Sequence, residues 1–281
     1  MSIFWGGTFI AARIVAQNVG PFSASFLRFA IASILLIVIT LRLEGTIPLP
    51  KKHQILPVIL LGMTGVFAYN FFFFSGLKTV SASRAAIIVA MNPIFIALFA
   101  CAFFKEKLTM INLIGIVSCV SGAVIVISKG HPMALIQGNL GTGELYILGC
   151  VASWVLYSLI GKNTMKDMSP LVAVTYSCVV GCALLCVPAC MEGMPGDIAG
   201  YRVVDWSGIA YLGCFGSALG VSLYYQGIQT IGASKASVFI NFVPINAVIL
   251  SYLILKEKPG LFLIAGAVMV IGGAYLTNRK H

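Results

Sequence analysis

Residues 76–123 read GLKTVSASRAAIIVAMNPIFIALFACAFFKEKLTMINLIGIVSCVSGA, and residues 227–274 read GIQTIGASKASVFINFVPINAVILSYLILKEKPGLFLIAGAVMVIGGA. The two stretches align without a gap, each residue matching the one 151 positions later: Gly76/Gly227, Thr79/Thr230, Ser83/Ser234, Pro93/Pro244, Glu106/Glu257, Gly115/Gly266 and Gly122/Gly273. The register continues upstream through Leu61/Leu212, Gly62/Gly213 and Gly65/Gly216. Earlier still, Trp5 precedes Pro21 by the same interval as Trp154 precedes Pro170. The chain is therefore a duplication, and a repeat of this length is a statement about architecture.

Only 9% of the 281 residues are charged, 59% are hydrophobic, and the mean hydropathy is +1.01. A soluble domain carries about a quarter charged residues, so this composition belongs to a lipid bilayer. Apolar segments recur at 2–17, 21–43, 55–76, 82–104, 109–128, 143–161, 170–191, 207–228, 234–255 and 260–277. Most approach the ~20 residues that cross a ~30 Å hydrocarbon core. The breaks between them carry Gly, Pro and charge, as in RLEGTIPLPKKHQ at 42–54 and MEGMPGDIAGYRVVD at 191–205. The first segment has no basic leader and does not read as a cleavable signal peptide.

These spans predict an all-α integral membrane protein of ten transmembrane helices. Residues 1–130 form one five-helix repeat, 131–141 a connector and 142–281 the second repeat. Five is odd, so the second copy enters the membrane from the opposite side. The halves are then inverted about an axis in the membrane plane, the plan of many secondary transporters.

The net charge of +10 is spread over short connectors, which suits membrane orientation better than nucleic acid. With the N-terminus inside, inner connectors hold Arg42, Lys51, Lys52, Lys105, Lys107, Lys162, Lys166, Lys235, Arg279 and Lys280; outer ones hold Lys78, Arg84, Lys129, Arg202, Lys256 and Lys258. The bias places both termini in the cytoplasm. Eight cysteines include none in a CxxC pair. Cys178, Cys182, Cys186 and Cys190 recur along one helix face over roughly 18 Å, too far to converge on a metal. No metal or cofactor is expected, and no catalytic residue: the spans hold no HExxH motif and no paired aspartates, and His53, His131 and His281 lie outside them.

The stretches WGGTFIAAR near the start, PFSASFLRFAIASILL opening the second span, the 76–126 segment, and the KEKPGLFLIAGAVMVIGGAYL close of the second copy resemble the drug/metabolite transporter superfamily, specifically its EamA-like members. The resemblance covers essentially the whole chain. It implies helices 1–4 and 6–9 around a central cavity, helices 5 and 10 at the periphery, and transport of small organic solutes, often export of amino acids or related metabolites from a bacterial inner membrane. Members that exchange nucleotide sugars or sugar phosphates commonly place a lysine shortly before the helix 4 proline. Here that stretch is IIVAMNP, without a base, which speaks against phosphorylated substrates.

Within this frame, Pro93 and Pro244 are candidate hinges, because proline removes a helical hydrogen bond and crowds the preceding turn; a static kink is the plainer reading. Arg28 lies about 10 Å inside helix 2. It either snorkels or has a structural hydrogen-bond role, or else it contacts a substrate carboxylate or the outer gate, since charge within a span is costly enough to imply a role. Trp5, Tyr69, Asn70, Asn92, Trp154, Tyr157, Tyr176, Tyr224 and Asn241 are candidate cavity residues, the aromatic members suiting flat, amphipathic or cationic ligands. Glu144 reads as an anion at a helix N-terminus. The glycines at 115, 122, 266 and 273 read as helix-packing positions, with a dimer contact as the alternative.

The expected partners are lipid and a small solute, and a monomer suffices. The functional expectation is alternating-access movement of an amino acid or related neutral, zwitterionic or aromatic metabolite. Alternatives are a multidrug or cationic-compound exporter, or a membrane sensor that transports nothing.

Overall fold

A computed structural model describes residues 1–92, 94–95, 110–128, 130, 141–224 and 242–277. The described residues are helical, with no strand among them. The helices are α1 (Ser2–Val15), α2 (Pro21–Glu44), α3 (Lys52–Leu77), α4 (Ala82–Val89), α5 (Met110–Ser128), α6 (Thr142–Thr164), α7 (Pro170–Met191), α8 (Val203–Tyr224), α9 (Val243–Leu255) and α10 (Leu261–Thr277). Among them Pro21–Glu44, Lys52–Leu77, Thr142–Gly161, Pro170–Met191 and Val203–Tyr224 are long and apolar enough to cross a bilayer. Part of the predicted fourth and ninth spans, with the first KEK triplet, lies outside the described residues.

Helix boundaries follow the punctuation of the sequence. Pro21 and Pro170 each stand at the first helical position, where a missing N–H costs nothing and φ is already helical. Gly193, at φ +97°, ends α7 in the left-handed region that glycine adopts without strain. Pro195 then helps start a short helical turn, Met194–Asp197, so the 191–205 connector is partly helical rather than extended. Neither this turn nor the early start of α8 at Val203 follows from hydropathy, because the local signals are proline and a capping Asp205.

A π-helical turn ends α9 at Ser251–Leu255, and two helices widen into such turns in mid-course, at Gly62–Ala68 in α3 and Leu212–Leu219 in α8. The latter two are equivalent stretches of the duplicated sequence. Such turns free backbone carbonyls from the regular ladder and concentrate at functional sites.

Packing partners come in reciprocal sets when each helix is matched with the one five later. α2 packs on α7 and α5 on α10; α3 packs on α6 and α7, as α8 does on α1 and α2; α1 packs on α9, as α6 does on α4. The self-paired helices run antiparallel. Along α5 and α10, Asn112 Nδ2 donates to Leu276 O (3.5 Å) and Ser118 Oγ to Met269 O (3.1 Å). A Cβ on Gly122 would lie 2.7 Å from Gly266 O, and one on Gly273 2.6 Å from Cys119 N. The glycine positions thus allow backbones to touch within one chain. Ser118 and Met269 are 151 positions apart and meet at the centre of that contact.

α2 and α7 are joined at both ends, and at one of them α2 is capped. Glu192, just past α7, accepts from Ser23 N (2.7 Å), Ser23 Oγ (2.6 Å) and Phe22 N (3.4 Å), satisfying the open N-terminus of α2. At the opposite end, Ser169, preceding α7, donates to Glu44 at the end of α2. Between them Thr40 and Thr175 share a hydroxyl hydrogen bond of 2.8 Å.

Helix ends gather in an alternating way. At one end of the bundle, Arg13 near the end of α1 donates to Leu77 O at the end of α3, and Asn18 donates to Asp205 at the start of α8 (3.1 Å). Arg84, at the start of α4, bonds Val126 O near the end of α5 (3.0 Å) and pairs with Glu144 at the start of α6 (2.8 Å). Ser83 donates to Glu257, beyond α9 (3.4 Å). The other end carries Glu44–Ser169, Gln54 donating to Asp167 O (3.0 Å) and Tyr176 donating to Pro48 O (3.1 Å).

Candidate functional site

Trp5 on α1 and Trp154 on α6 are equivalent positions of the two halves, and their rings meet edge-on, 6.5 Å apart at 81°. Each tryptophan then takes different neighbours. Trp154 lies against Tyr69 (5.3 Å) and Tyr157 (5.3 Å), while Trp5 lies against Tyr224 (5.4 Å). The cause is a substitution between the copies: the counterpart of Tyr69 is Gly220. A Cβ there would fall 2.6 Å from Trp5 Nε1, so the glycine lets the indole reach the α8 backbone. Trp5 Nε1 donates to Gly216 O at 3.0 Å, a carbonyl within the π turn. Tyr69 continues the aromatic run by stacking on Phe73 (5.7 Å, 20°).

Beside these rings lies a buried polar node. Arg28, 8% exposed, donates from Nε to Ser217 Oγ (2.9 Å) and from Nη1 to Asn70 Oδ1 (2.9 Å). Asn70, 1% exposed, in turn donates to Val66 O (2.8 Å), one of the carbonyls in the α3 π turn. The node thus ties α2 to α3 and α8. Arg28 reaches inward across helices rather than out to the interface, so the snorkelling expectation does not describe it. No carboxylate among the described residues bonds Arg28.

Gly216 joins the node to the aromatic rings. The place its Cβ would take is 3.6 Å from Arg28 Nη2, 3.8 Å from Thr8 Cβ and 2.5 Å from Thr8 Cγ2. In the other half Gly65 receives Tyr157, the counterpart of Thr8, with the ring Cγ 2.6 Å from a notional Cβ. Both mid-helix π turns therefore seat a side chain from the opposite half.

Trp5, Arg28, Tyr69, Asn70, Trp154, Tyr157 and Tyr224 thus form one neighbourhood. Asn92 is buried near the described end of α4, and its Oδ1 has no hydrogen-bond partner. Tyr176 sits apart, bonded to Pro48 O and packed beside Val58, Met168 and Val172 at one end of the bundle. Pro244 is buried at the second residue of α9, where α9 approaches α1 closely enough that a Cβ on Gly6 would meet Asn246 Cβ at 2.6 Å. Pro93 and Asn241 lie outside the described residues. Glu144 is the ion-pair partner of Arg84. Among the described residues no cluster of His, Cys, Asp or Glu could hold a metal.

Sequence reasoning does not single out Ser217, Gly216 or Thr8. Gly216 has a signal in the repeat register and Thr8 in its equivalence to Tyr157. Ser217 has none, since its partner Arg28 is 189 positions away.

Apolar helices packed in reciprocal pairs around aromatic rings and a buried cation fit an integral membrane protein. The EamA-like transporter family model matches residues 1–128 and 141–279, and the chain belongs to that family. It is 32% identical to the uncharacterized transporter YyaM of Bacillus subtilis, over 97% of this chain and 89% of that protein. It is 27% identical to an uncharacterized transporter of Archaeoglobus fulgidus (99% and 96% covered). A third relative, 25% identical with 99% and 91% covered, is the probable terminal-alkyne amino-acid exporter of Streptantibioticus cattleyicolor. A solved structure titled only as the crystal structure of a protein shares the fold, with a TM-score of 0.67 at 21% identity over 98% of this chain and 93% of that one.

Proposed function

We propose that this protein is a secondary transporter that moves a small organic metabolite, an amino acid or a related neutral, zwitterionic or aromatic compound, by alternating access. In this reading residues 1–130 and 142–281 are inverted five-helix halves of a ten-span carrier in a bacterial inner membrane, with both termini cytoplasmic and export as the physiological direction. The observation that carries the reading is the meeting of Trp5 and Trp154, equivalent residues of two antiparallel halves, within a cluster of tyrosines. A site on the relation between two inverted halves is presented to either face as the halves rock. Its aromatic faces suit planar and apolar parts of a solute, and the exporter named among the relatives supports an amino-acid-like one.

The test is counterflow in proteoliposomes with a panel of labelled amino acids and amines, with and without a pH gradient. Saturable exchange of at least one amino acid, reduced about tenfold or more by Trp154→Ala, is the expected result. Exchange of amines alone would favour the cationic-compound exporter, and no exchange by any solute would overturn the transport reading.

A further inference from the structure

We propose that Arg28 is the anchor for a single carboxylate on the transported solute, held beside Trp5. The proposal rests on the transport reading above and names the substrate class of that site. A guanidinium stays charged in proteins, and burying it without a counter-ion is costly even when its N–H groups are hydrogen-bonded. Arg28 is 8% exposed, and its two bonded nitrogens face neutral acceptors, Ser217 Oγ and Asn70 Oδ1. Its third nitrogen, Nη2, makes no hydrogen bond to any of the described residues and lies on the side of Gly216, beside Thr8, where Trp5 Nε1 meets Gly216 O. Among the described residues the site therefore offers a fixed cation, with a donor to spare, next to aromatic faces. A carboxylate would supply both the missing charge and the acceptor.

The duplication limits the ligand to one such group. The counterparts of Arg28, Asn70 and Ser217 in the other half are Ser177, Val221 and Val66. The sequence does not repeat the node there, so a second anion on the solute would meet no counterpart of Arg28. A phosphate ester, carrying about −1.5 to −2 at neutral pH, would likewise be under-neutralised.

The test uses the full-length protein purified in detergent, with thermal stabilisation read against matched ligands: L-phenylalanine, 3-phenylpropionate, L-phenylalaninamide and 2-phenylethylamine, and the other protein amino acids with their amides. Half-maximal stabilisation is expected at concentrations at least tenfold lower for acids than for their amides. Arg28→Gln should abolish that difference, and Arg28→Lys should restore part of it. Equal response of wild-type protein to acids and amides, or no response to any carboxylate, overturns the proposal, and this arm holds even where the Arg28 variants do not fold. So does an acid preference that survives in Arg28→Gln. Counterflow separates the two levels: exchange of amides or amines without acid preference leaves the transport reading standing while the anchor fails, whereas no exchange at all removes both.

Discussion

Gly65 and Gly216 show how much the bundle depends on single missing side chains. Each lies in a π turn and receives a residue from the other half, Tyr157 or Thr8, at a distance that leaves no room for a Cβ. Gly65→Ala should therefore displace the Tyr157 ring, destabilise the protein by about 1–3 kcal/mol and slow exchange; adding Tyr157→Ala should recover the melting temperature but not the exchange rate. Both are read on purified protein and in proteoliposomes. Trp5→Phe retains a ring but loses the hydrogen bond to Gly216 O, a net loss of about 0.5–1.5 kcal/mol. The apparent KM for exchange should rise by up to about tenfold, and the melting temperature should fall by a few degrees. At this scale the sequence is partly legible. Trp5, Trp154 and Arg28 stand out because a repeat interval or a charge within an apolar span marks them. Ser217 does not, because a serine in a membrane helix reads as a small packing residue until the partner from another helix is known. Tyr176 carries the same aromatic signal as Tyr157, yet helix phase and depth take it to Pro48 at one end of the bundle.

The helices themselves are far more legible than their decorations. Apolar segments bounded by Gly, Pro and charge give the limits of α2, α5, α7 and α10 to within a residue or so, since hydrocarbon leaves the backbone few alternatives to helix. The π turns escape such reading because widening a helix by one residue per turn leaves hydropathy unchanged. The capping of α2 by Glu192 also escapes it, because Glu192 and Ser23 are 169 positions apart. Its contribution is measurable. Glu192→Ala removes the acceptor for two backbone N–H groups and the Ser23 hydroxyl, and should lower stability by about 1–2 kcal/mol. A lowered melting temperature with exchange retained below the transition is the expected outcome; an unchanged one would mean that water replaces the carboxylate. Gly122→Leu should be more disruptive, since Gly266 O lies 2.7 Å from the added Cβ and backbone cannot yield as a side chain does. The protein should lose thermal stability as α10 separates from α5, without any change in oligomeric state.

Across the whole molecule, the Arg84–Glu144 pair, each side chain 13% exposed, fastens α4 to α6 at the end where Ser83 also reaches Glu257. These bonds join the two halves, and opening that end requires breaking them. Breaking one partner of a largely buried pair costs about 1–3 kcal/mol at this degree of exposure. Arg84→Glu alone should shift the protein toward accessibility at that end, read as faster labelling of a cysteine introduced at Asn18. The exchange Arg84→Glu with Glu144→Arg should restore the wild-type rate, a coupling that independent effects would not give. The duplication and the family are legible in sequence because a repeat is a global pattern; the fastening is not, because its partners belong to different spans. The capping of α2 by Glu192 also bears on biosynthesis. When the ribosome has released only the first five segments, Glu192 does not yet exist, and the N-terminal amides of α2 must be served by water or by the translocation machinery. Those amides gain their protein acceptor only once residue 192 has been made, so the N-terminus of α2 reaches its final hydrogen bonding after the first five segments have been synthesised.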